Sequence, residues 1–187
     1  MARPADTKHR IQEVARELFA QQGVQRTSLQ DIAARLGITK PALYYHFSSR
    51  EELVRSIVQP IIEEEEAFLA SQEGLPEVEP RSLLEGYFDF HYRHRDDMVL
   101  MLGELTTLAD LGLINRVLDW RRRLTRLIYG PDPTLEQAAR ATIAFGGIQD
   151  CTIQFPDAPH GELRRAAVSG ACATLRLQPH DGATDGR

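Results

Sequence analysis

The sequence predicts an all-α protein. Through most of the chain, apolar residues recur three and four positions apart, which is the spacing that gives a helix one apolar face. Glycine and proline separate the segments that show this spacing, and both residues commonly mark helix ends. The chain has 187 residues, of which 42% are hydrophobic, so it can bury the core of one large domain or of two small ones.

The first helix is predicted from about Thr7 to Gln22, and Gly23 is expected to end it. Its apolar face consists of Ile11, Val14, Ala15, Leu18 and Phe19. The segment that follows is too short to bury a core alone, so we expect this face to pack behind it.

Residues 28–47 are predicted to form two short helices joined by a tight turn. Ser28 and Asp31 have the spacing of a capping box, in which each side chain bonds to the backbone N–H of the other residue. Gly37 suits the left-handed conformation that ends the first of these helices. Thr39 can cap the second helix, because its hydroxyl can accept from an early backbone N–H. The pattern is typical of a helix-turn-helix motif.

The second short helix carries the polar groups of the motif. These are Lys40, Tyr44, Tyr45 and His46. Leu43 and Phe47, four residues apart, share the opposite and apolar face. A lysine at a helix N-terminus is unfavourable for the helix alone, and it makes sense where a phosphate or a guanine edge is expected. In a helix-turn-helix motif this second helix enters the major groove of DNA.

The run TSLQDIAARLGITKPALYYHFSSREEL, residues 27–53, resembles the DNA-binding domain of the TetR (tetracycline-repressor) family. The resemblance covers residues 8 to about 58. By position it implies phosphate contacts from Thr27 or Ser28, contacts to base edges or the groove wall from Thr39, Lys40, Pro41 and Ala42, and backbone contacts from Tyr44, Tyr45 and His46. Arg50 stands where the family usually has lysine, and it keeps the charge for DNA binding.

We expect two domains. Residues 1–50 are the helix-turn-helix DNA-binding domain, and residues 51–187 are a helical ligand-binding and dimerisation domain with a disordered tail at 178–187. Residues 1–60 hold nine basic and six acidic residues, a net charge of +3, whereas the remainder holds 13 basic and 21 acidic residues, a net charge of −8. The total of −5 does not argue against DNA binding, because the positive charge lies with the motif.

The rest of the chain is predicted to be helical. A fourth helix begins at Ser48 and is expected to kink or split near Gln59, because Pro60 lies within its apolar pattern. Residues 71–80 form a linker rich in Pro, Gly and Glu. Further helices are predicted at residues 81–94, 96–107, 113–129, 134–155 and 160–177.

The last two predicted helices are rich in alanine and glycine, and small residues let helix axes approach closely. The resemblance implies a homodimer through these helices, in which the two copies read the half-sites of a palindromic operator in double-stranded DNA. Close packing of the two helices inside one subunit is the alternative interpretation of the same residues.

The resemblance also implies a pocket for an unknown small-molecule effector among the later helices, and no cofactor. Candidate lining residues are Tyr87, Phe88, His91, Met101, Trp120 and Gln149. We expect the effector to release a repressor from its operator, and activation is the alternative sense of regulation.

The sequence predicts no enzyme and no metal site. It contains no G-x-G-x-x-G motif, no phosphate-binding loop and no paired-cysteine zinc spacing. His91 and His94, with Asp96 and Asp97 close behind, could hold a metal, but two histidines without a third ligand are more commonly surface or pocket residues. A non-specific DNA-binding protein, a small helical enzyme and a metal-binding sensor are the alternative functions.

The sequence also predicts a cytoplasmic location. The two cysteines, Cys151 and Cys172, make no disulfide framework, which is typical of a reducing compartment. No apolar run reaches the about 18 residues that a membrane span needs, and residues 1–10 lack the apolar segment of a secretory signal.

Overall fold

A computed structural model of the protein describes residues 4–102 and 112–177. The helices in these ranges are α1 Pro4–Gln22, α2 Leu29–Leu36, α3 Lys40–His46, α4 Arg50–Glu73, α5 Pro80–Arg93, α6 Arg95–Leu102, α7 Leu113–Tyr129, α8 Leu135–Gln154 and α9 His160–Leu175. The described ranges contain no strand, so the predicted all-α fold is confirmed. The tail expected at residues 178–187 lies outside the described residues.

Several helix ends differ from the prediction. α1 begins at Pro4 and not at Thr7, and the predicted 71–80 linker is shorter than expected because α4 includes its first three residues. α6 begins at Arg95, and residues 103–107 of its predicted extent lie outside the described residues.

Of the kink or split expected near Gln59, the split is wrong, because α4 is one helix from Arg50 to Glu73 with Pro60 inside it, and the kink stays a prediction. Proline lacks the N–H that would bond to the carbonyl four residues before it, here the carbonyl of Ser56. The side-chain amide of Gln12 on α1 donates to that carbonyl at 3.2 Å and to the Ser56 hydroxyl at 2.9 Å. A side chain from another helix therefore satisfies the acceptor that Pro60 leaves open.

The helices pack as two compact units. Of the described residues, the first comprises 4–68, 94–102 and 112–117, and the second comprises 69–93 and 118–177. α4 and α7 each begin in the first unit and end in the second. These units do not test the predicted boundary after residue 50 between the DNA-binding domain and the ligand-binding domain, which stays a prediction.

In the first unit, α1 packs on α2 and on α6, and α2 packs on α3. The core of these helices and the start of α4 includes Ile11, Ala15, Phe19, Leu29, Ile32, Leu43, Phe47, Leu53 and Ile57. α2 and α3 have eight and seven residues, fewer than the about 12–15 residues at which an isolated helix becomes marginally stable in water. Their stability therefore comes from this shared core.

An ion pair and a histidine–carboxylate contact join α6 and the residue before it to neighbouring helices of the first unit. Arg16 Nε on α1 donates to Asp97 Oδ1 at 2.7 Å. His94 Nε2 lies 2.9 Å from Glu64 Oε2 on α4. The start of α6 is thus attached both to α1 and to α4.

In the second unit, α8 packs on α5 and on α9, and α5 also packs on α9. Its core includes Leu83, Leu84, Phe88, Leu124, Ala141, Phe145, Ile148, Leu163 and Val168. Gly130 follows α7 with a φ of 85°, and the Thr134 hydroxyl accepts from the Gln137 N–H at 3.3 Å to begin α8. α9 ends at Leu175, two residues before its predicted end.

Candidate nucleic-acid interface

The N-terminus of α2 carries the predicted capping box. The Ser28 hydroxyl accepts from the Asp31 N–H at 3.2 Å, and Asp31 Oδ2 accepts from the Ser28 N–H at 2.9 Å and from its hydroxyl at 2.7 Å. The hydrogen bonds from Ser28, the backbone bond first, hold the pKa of the Asp31 carboxyl below its ordinary value. The Ser28 side chain is exposed, so it can also reach a phosphate.

Thr27 is placed differently from its neighbour. Its side chain is only 1% exposed, and its hydroxyl donates to the Gly23 carbonyl at 2.8 Å and accepts from the Gln22 amide at 3.1 Å. These bonds close the loop between α1 and α2. Of the two residues that the resemblance offers for this phosphate contact, Ser28 alone presents its side chain at the surface.

The turn between α2 and α3 depends on Gly37. Its φ of 67° lies in the left-handed region, and its N–H donates to the Ala34 carbonyl at 3.2 Å. The next N–H, that of Ile38, donates to the Ala33 carbonyl at 3.1 Å. A Cβ added at Gly37 would meet no atom within 4 Å, so backbone strain and not space favours glycine here.

α3 separates a buried face from an exposed one. Leu43 and Phe47 are 0% and 1% exposed, whereas Tyr45 is 82% exposed. The exposed residues of the motif's second half also include Thr39, Lys40, Pro41, Ala42 and Tyr44, and His46 is half-buried. An exposure this high for a tyrosine leaves its ring and hydroxyl available to a partner.

The exposed face of α3 is partly ordered by its own side chains. Lys40 Nζ lies 5.6 Å from the centroid of the Tyr44 ring, within the range of a cation–π contact. The rings of Tyr45 and His46 meet edge to face with centroids 5.2 Å apart. The Thr39 hydroxyl accepts from the Ala42 N–H at 3.3 Å, and this cap sets the start of the helix.

Arg50 makes bonds within the protein that the sequence pattern does not reveal. Its guanidinium donates to the backbone carbonyls of Val24 and Gln25 at 3.2 and 3.0 Å, and to the Gln25 side chain at 3.0 Å. It also lies 3.6 Å from the Glu51 carboxylate. Arg50 therefore attaches the start of α4 to the loop after α1, and a phosphate contact would have to replace some of these bonds.

The effector candidates in the second unit fall into two groups. The Tyr87 ring lies 4.2 Å from His91 and 5.0 Å from Phe145, centroid to centroid. Phe88 instead lies 5.7 Å from both Tyr92 and His160. Sequence reasoning missed Phe145, because an aromatic residue within an alanine-rich helix has no local pattern that marks it.

The other effector candidates are Trp120, Gln149 and Met101. Trp120 is 5% exposed, and Gln149 Oε1 accepts from Arg121 at 3.1 Å. Met101 lies on α6, in the first unit, and its side chain is outside the described part of the structure.

The described residues contain no group of three or more His, Cys, Asp or Glu residues that could hold a metal ion. Burial is the first cause that raises the pKa of the Cys151 and Cys172 thiols, so both are weakly nucleophilic near neutral pH. None of the described helices is both long and apolar enough to cross a membrane.

Comparison with known proteins agrees with this geometry. Residues 11–57 match the model of bacterial regulatory proteins of the tetR family. The chain is 36% identical over 120 residues to the HTH-type transcriptional regulator TtgR of Pseudomonas putida, a match that covers 64% of this chain and 52% of TtgR. It is 31% identical over 62 residues to an HTH-type transcriptional repressor of Mycolicibacterium smegmatis, covering 33% of this chain and 30% of the repressor.

The fold has solved counterparts. A TetR-like transcriptional regulator from Rhodococcus sp. RHA1 superposes with a TM-score of 0.74 at 21% identity, covering 95% of this chain and 100% of that one. At that identity the likeness concerns the fold. The chain spans about half the length of the first relatives it matches. Residues 11–57 therefore form a helix-turn-helix domain of the tetR type.

Proposed function

We propose that this protein is a sequence-specific, DNA-binding transcriptional regulator whose operator affinity changes when a small molecule binds. The observation that carries the proposal is the division of α3, whose apolar residues are buried while Lys40, Tyr44 and Tyr45 stand exposed. A short helix presented in this way can enter a major groove, and its side chains can contact base edges and phosphates.

Selection of bound duplexes from a random pool, at about 150 mM salt, tests sequence specificity, because moderate salt suppresses purely electrostatic binding. Recovery of a palindrome is expected. Binding without an enriched sequence would instead favour the non-specific DNA-binding alternative, and absence of binding would contradict the proposal for the effector-free protein.

A homodimer through α8 and α9 is part of the proposal. Ala141, Ala144 and Ala171 are buried where the two helices pack within one chain, so part of the small-residue pattern serves that packing. Other small residues of both helices remain exposed, namely Ala139, Gly147, Ala166, Gly170 and Ala173. A Cβ added at Gly147 or Gly170 would meet no atom within 4 Å, which leaves room for a close partner helix.

We place the effector among the later helices, near the cluster of Tyr87, His91 and Phe145. These residues are buried and bring aromatic rings together with a phenol and an imidazole, a combination suited to a mainly apolar ligand with one or two polar groups. Release of a repressor is the sense of regulation we propose, in keeping with the name of the Mycolicibacterium smegmatis relative. A protein with this role acts on chromosomal DNA, so we assign it to the cytoplasm.

The effector proposal can be tested in two steps. Small aromatic and fatty compounds are first screened for those that raise the melting temperature, because a ligand of the folded state stabilises it. The compounds found are then added to the operator complex. A coupling of about 1–3 kcal/mol, or about 5–150-fold in operator affinity, is expected. Ligands that bind tightly and leave operator affinity unchanged would contradict regulation by this site.

A further inference from the structure

A second group of basic side chains lies beside the C-terminal end of α3, opposite the end that carries Lys40. Lys8 on α1 places Nζ 5.6 Å from the centroid of the Phe47 ring. Phe47 caps α3, where its N–H donates to the Leu43 carbonyl at 3.0 Å. The Lys8 ammonium is therefore close to the point where α3 ends.

Arg55 joins Lys8 at this end of the helix. The pKa of the Glu52 carboxyl is lowered first by hydrogen bonds from Ser48, and also by the charges of Lys8 and Arg55. Arg55 follows Glu52 by three residues on α4, so the two side chains are neighbours on one face of that helix. The Glu52 carboxylate accepts from the Ser48 N–H at 2.7 Å and from its hydroxyl at 2.6 Å, and Ser48 directly follows Phe47, the residue that caps α3.

Lys8 and Arg55 differ from the arginines that the protein uses internally. Arg16 is paired with Asp97 at 2.7 Å, and Arg50 donates to the loop after α1. Lys8 and Arg55 are exposed, and among the described residues neither forms an ion pair with a carboxylate. Exposed cations that form no ion pair can bind phosphates without breaking one.

The dimensions of α3 fit this arrangement. A helix of seven residues is about 10 Å long, which is close to the major-groove width of about 12 Å. If the axis of α3 runs across the groove, cations at its two ends come near the phosphates that border the groove.

We propose that Lys8 and Arg55 bind backbone phosphates of DNA beside the C-terminal end of α3, so that the recognition helix is held by cations at both ends. The inference rests on the proposed function, because it requires α3 to enter the groove. Phosphate contacts fix register and orientation without reading sequence. Lys8 and Arg55 therefore set affinity on every duplex, and the exposed face of α3 is left to discriminate among sequences.

The test measures how the binding constant for a short mixed-sequence duplex varies with salt, from about 50 to 200 mM, using the full-length protein. Lys8→Met removes the charge and keeps an unbranched side chain of similar length, and Arg55→Gln removes the second charge. Arg10→Gln is the matched control, since Arg10 is exposed on α1 two residues from Lys8 and points about 200° away from it. Lys40→Ala removes the cation at the N-terminal end of α3 and tests whether that end contacts DNA.

Each neutralised phosphate contact contributes about 0.9 to the slope of log Kobs against log salt. We expect the slope to fall by about that amount in Lys8→Met and in Arg55→Gln, to be restored in Lys8→Arg, and to be unchanged in Arg10→Gln. Slopes equal to wild type in both variants, with a reduced slope in Lys40→Ala, would overturn this inference and leave the proposed function in place. An equal fall in Arg10→Gln would also overturn it. Failure of the wild-type protein to bind duplex would overturn both.

Discussion

At the residue scale, the candidate interface is defined by which side chains of the motif remain available. Tyr45 is 82% exposed and Leu43 is fully buried, although they lie two residues apart on the same helix. Thr27 and Arg50, which the family resemblance also offers for DNA binding, are engaged in bonds with the loop between α1 and α2. The exposed face of α3 therefore carries the proposed recognition.

Tyr45→Phe removes one exposed hydroxyl and should weaken binding to operator and unrelated duplexes by similar factors, as expected for a phosphate contact. Its free energy of unfolding should stay within about 0.5 kcal/mol of wild type. Tyr129→Phe is a control that should change stability but not DNA binding, because the Tyr129 hydroxyl donates to the Leu175 carbonyl at 3.0 Å. That variant should lose about 1 kcal/mol of stability and keep its DNA affinity. Anisotropy titrations and chemical denaturation measure both quantities, and a changed operator preference in Tyr45→Phe would contradict the phosphate role.

Because the Asp31 carboxylate takes part in the capping box, the free energy of unfolding should depend on pH in the acidic range. The folded protein lowers the pKa of this carboxyl below its ordinary value of 3.8, so the ionised form stabilises the fold above that pH. The contribution is lost as the pH falls through the lowered pKa. Melting temperatures of Asp31→Asn should therefore vary less with pH than those of wild type between about pH 5 and 2. Parallel curves for the two proteins across this range would show that the cap does not contribute.

At the element scale, the continuity of α4 depends on a neighbouring helix. Pro60 leaves the Ser56 carbonyl without its usual donor, and Gln12 from α1 supplies one at 3.2 Å. The apolar residues on either side, Ile57 and Ile61, are buried and hold the helix against the core. α2 and α3 likewise owe their stability to packing, because each is too short to persist alone.

Gln12→Leu should lower the free energy of unfolding by about 1–3 kcal/mol, because it leaves the Ser56 carbonyl without a donor. Pro60→Ala restores the backbone N–H, so the same Gln12→Leu change should cost less in that background. Denaturant titrations of the wild type, both single variants and the double variant give the coupling between the two positions. Purely additive effects would show that Gln12 does not compensate for the proline.

At the scale of the whole molecule, the proposed function needs two copies. Operator half-sites read by a dimer are centred about 34–36 Å or a multiple of that apart, and a single seven-residue helix makes few base contacts. The exposed small residues of α8 and α9, together with Ile143 at 63% exposure, form the surface we assign to the partner copy.

Ile143→Arg and Ala173→Arg should shift the protein from dimer to monomer and greatly weaken operator binding, because a charge would be buried at the interface. Ala70→Arg, at an exposed alanine of α4, is the matched control and should change neither property. Light scattering coupled to size exclusion measures the mass, and operator titrations measure the affinity. A wild-type mass of one chain, or variants that remain dimeric, would contradict this interface.

Sequence patterns were enough to predict the all-α class, the capping box at Ser28, the turn at Gly37 and the buried pair Leu43 and Phe47, because each depends on residues a few positions apart. Only the packed structure shows that Arg50 bonds to residues 24 and 25 and that Gln12 supplies a donor where α4 continues through a proline. The bonds of Gln12 and Arg50 join residues 44 and 26 positions apart. Local periodicity carries no information about such pairs, since their distance is set by how whole helices pack.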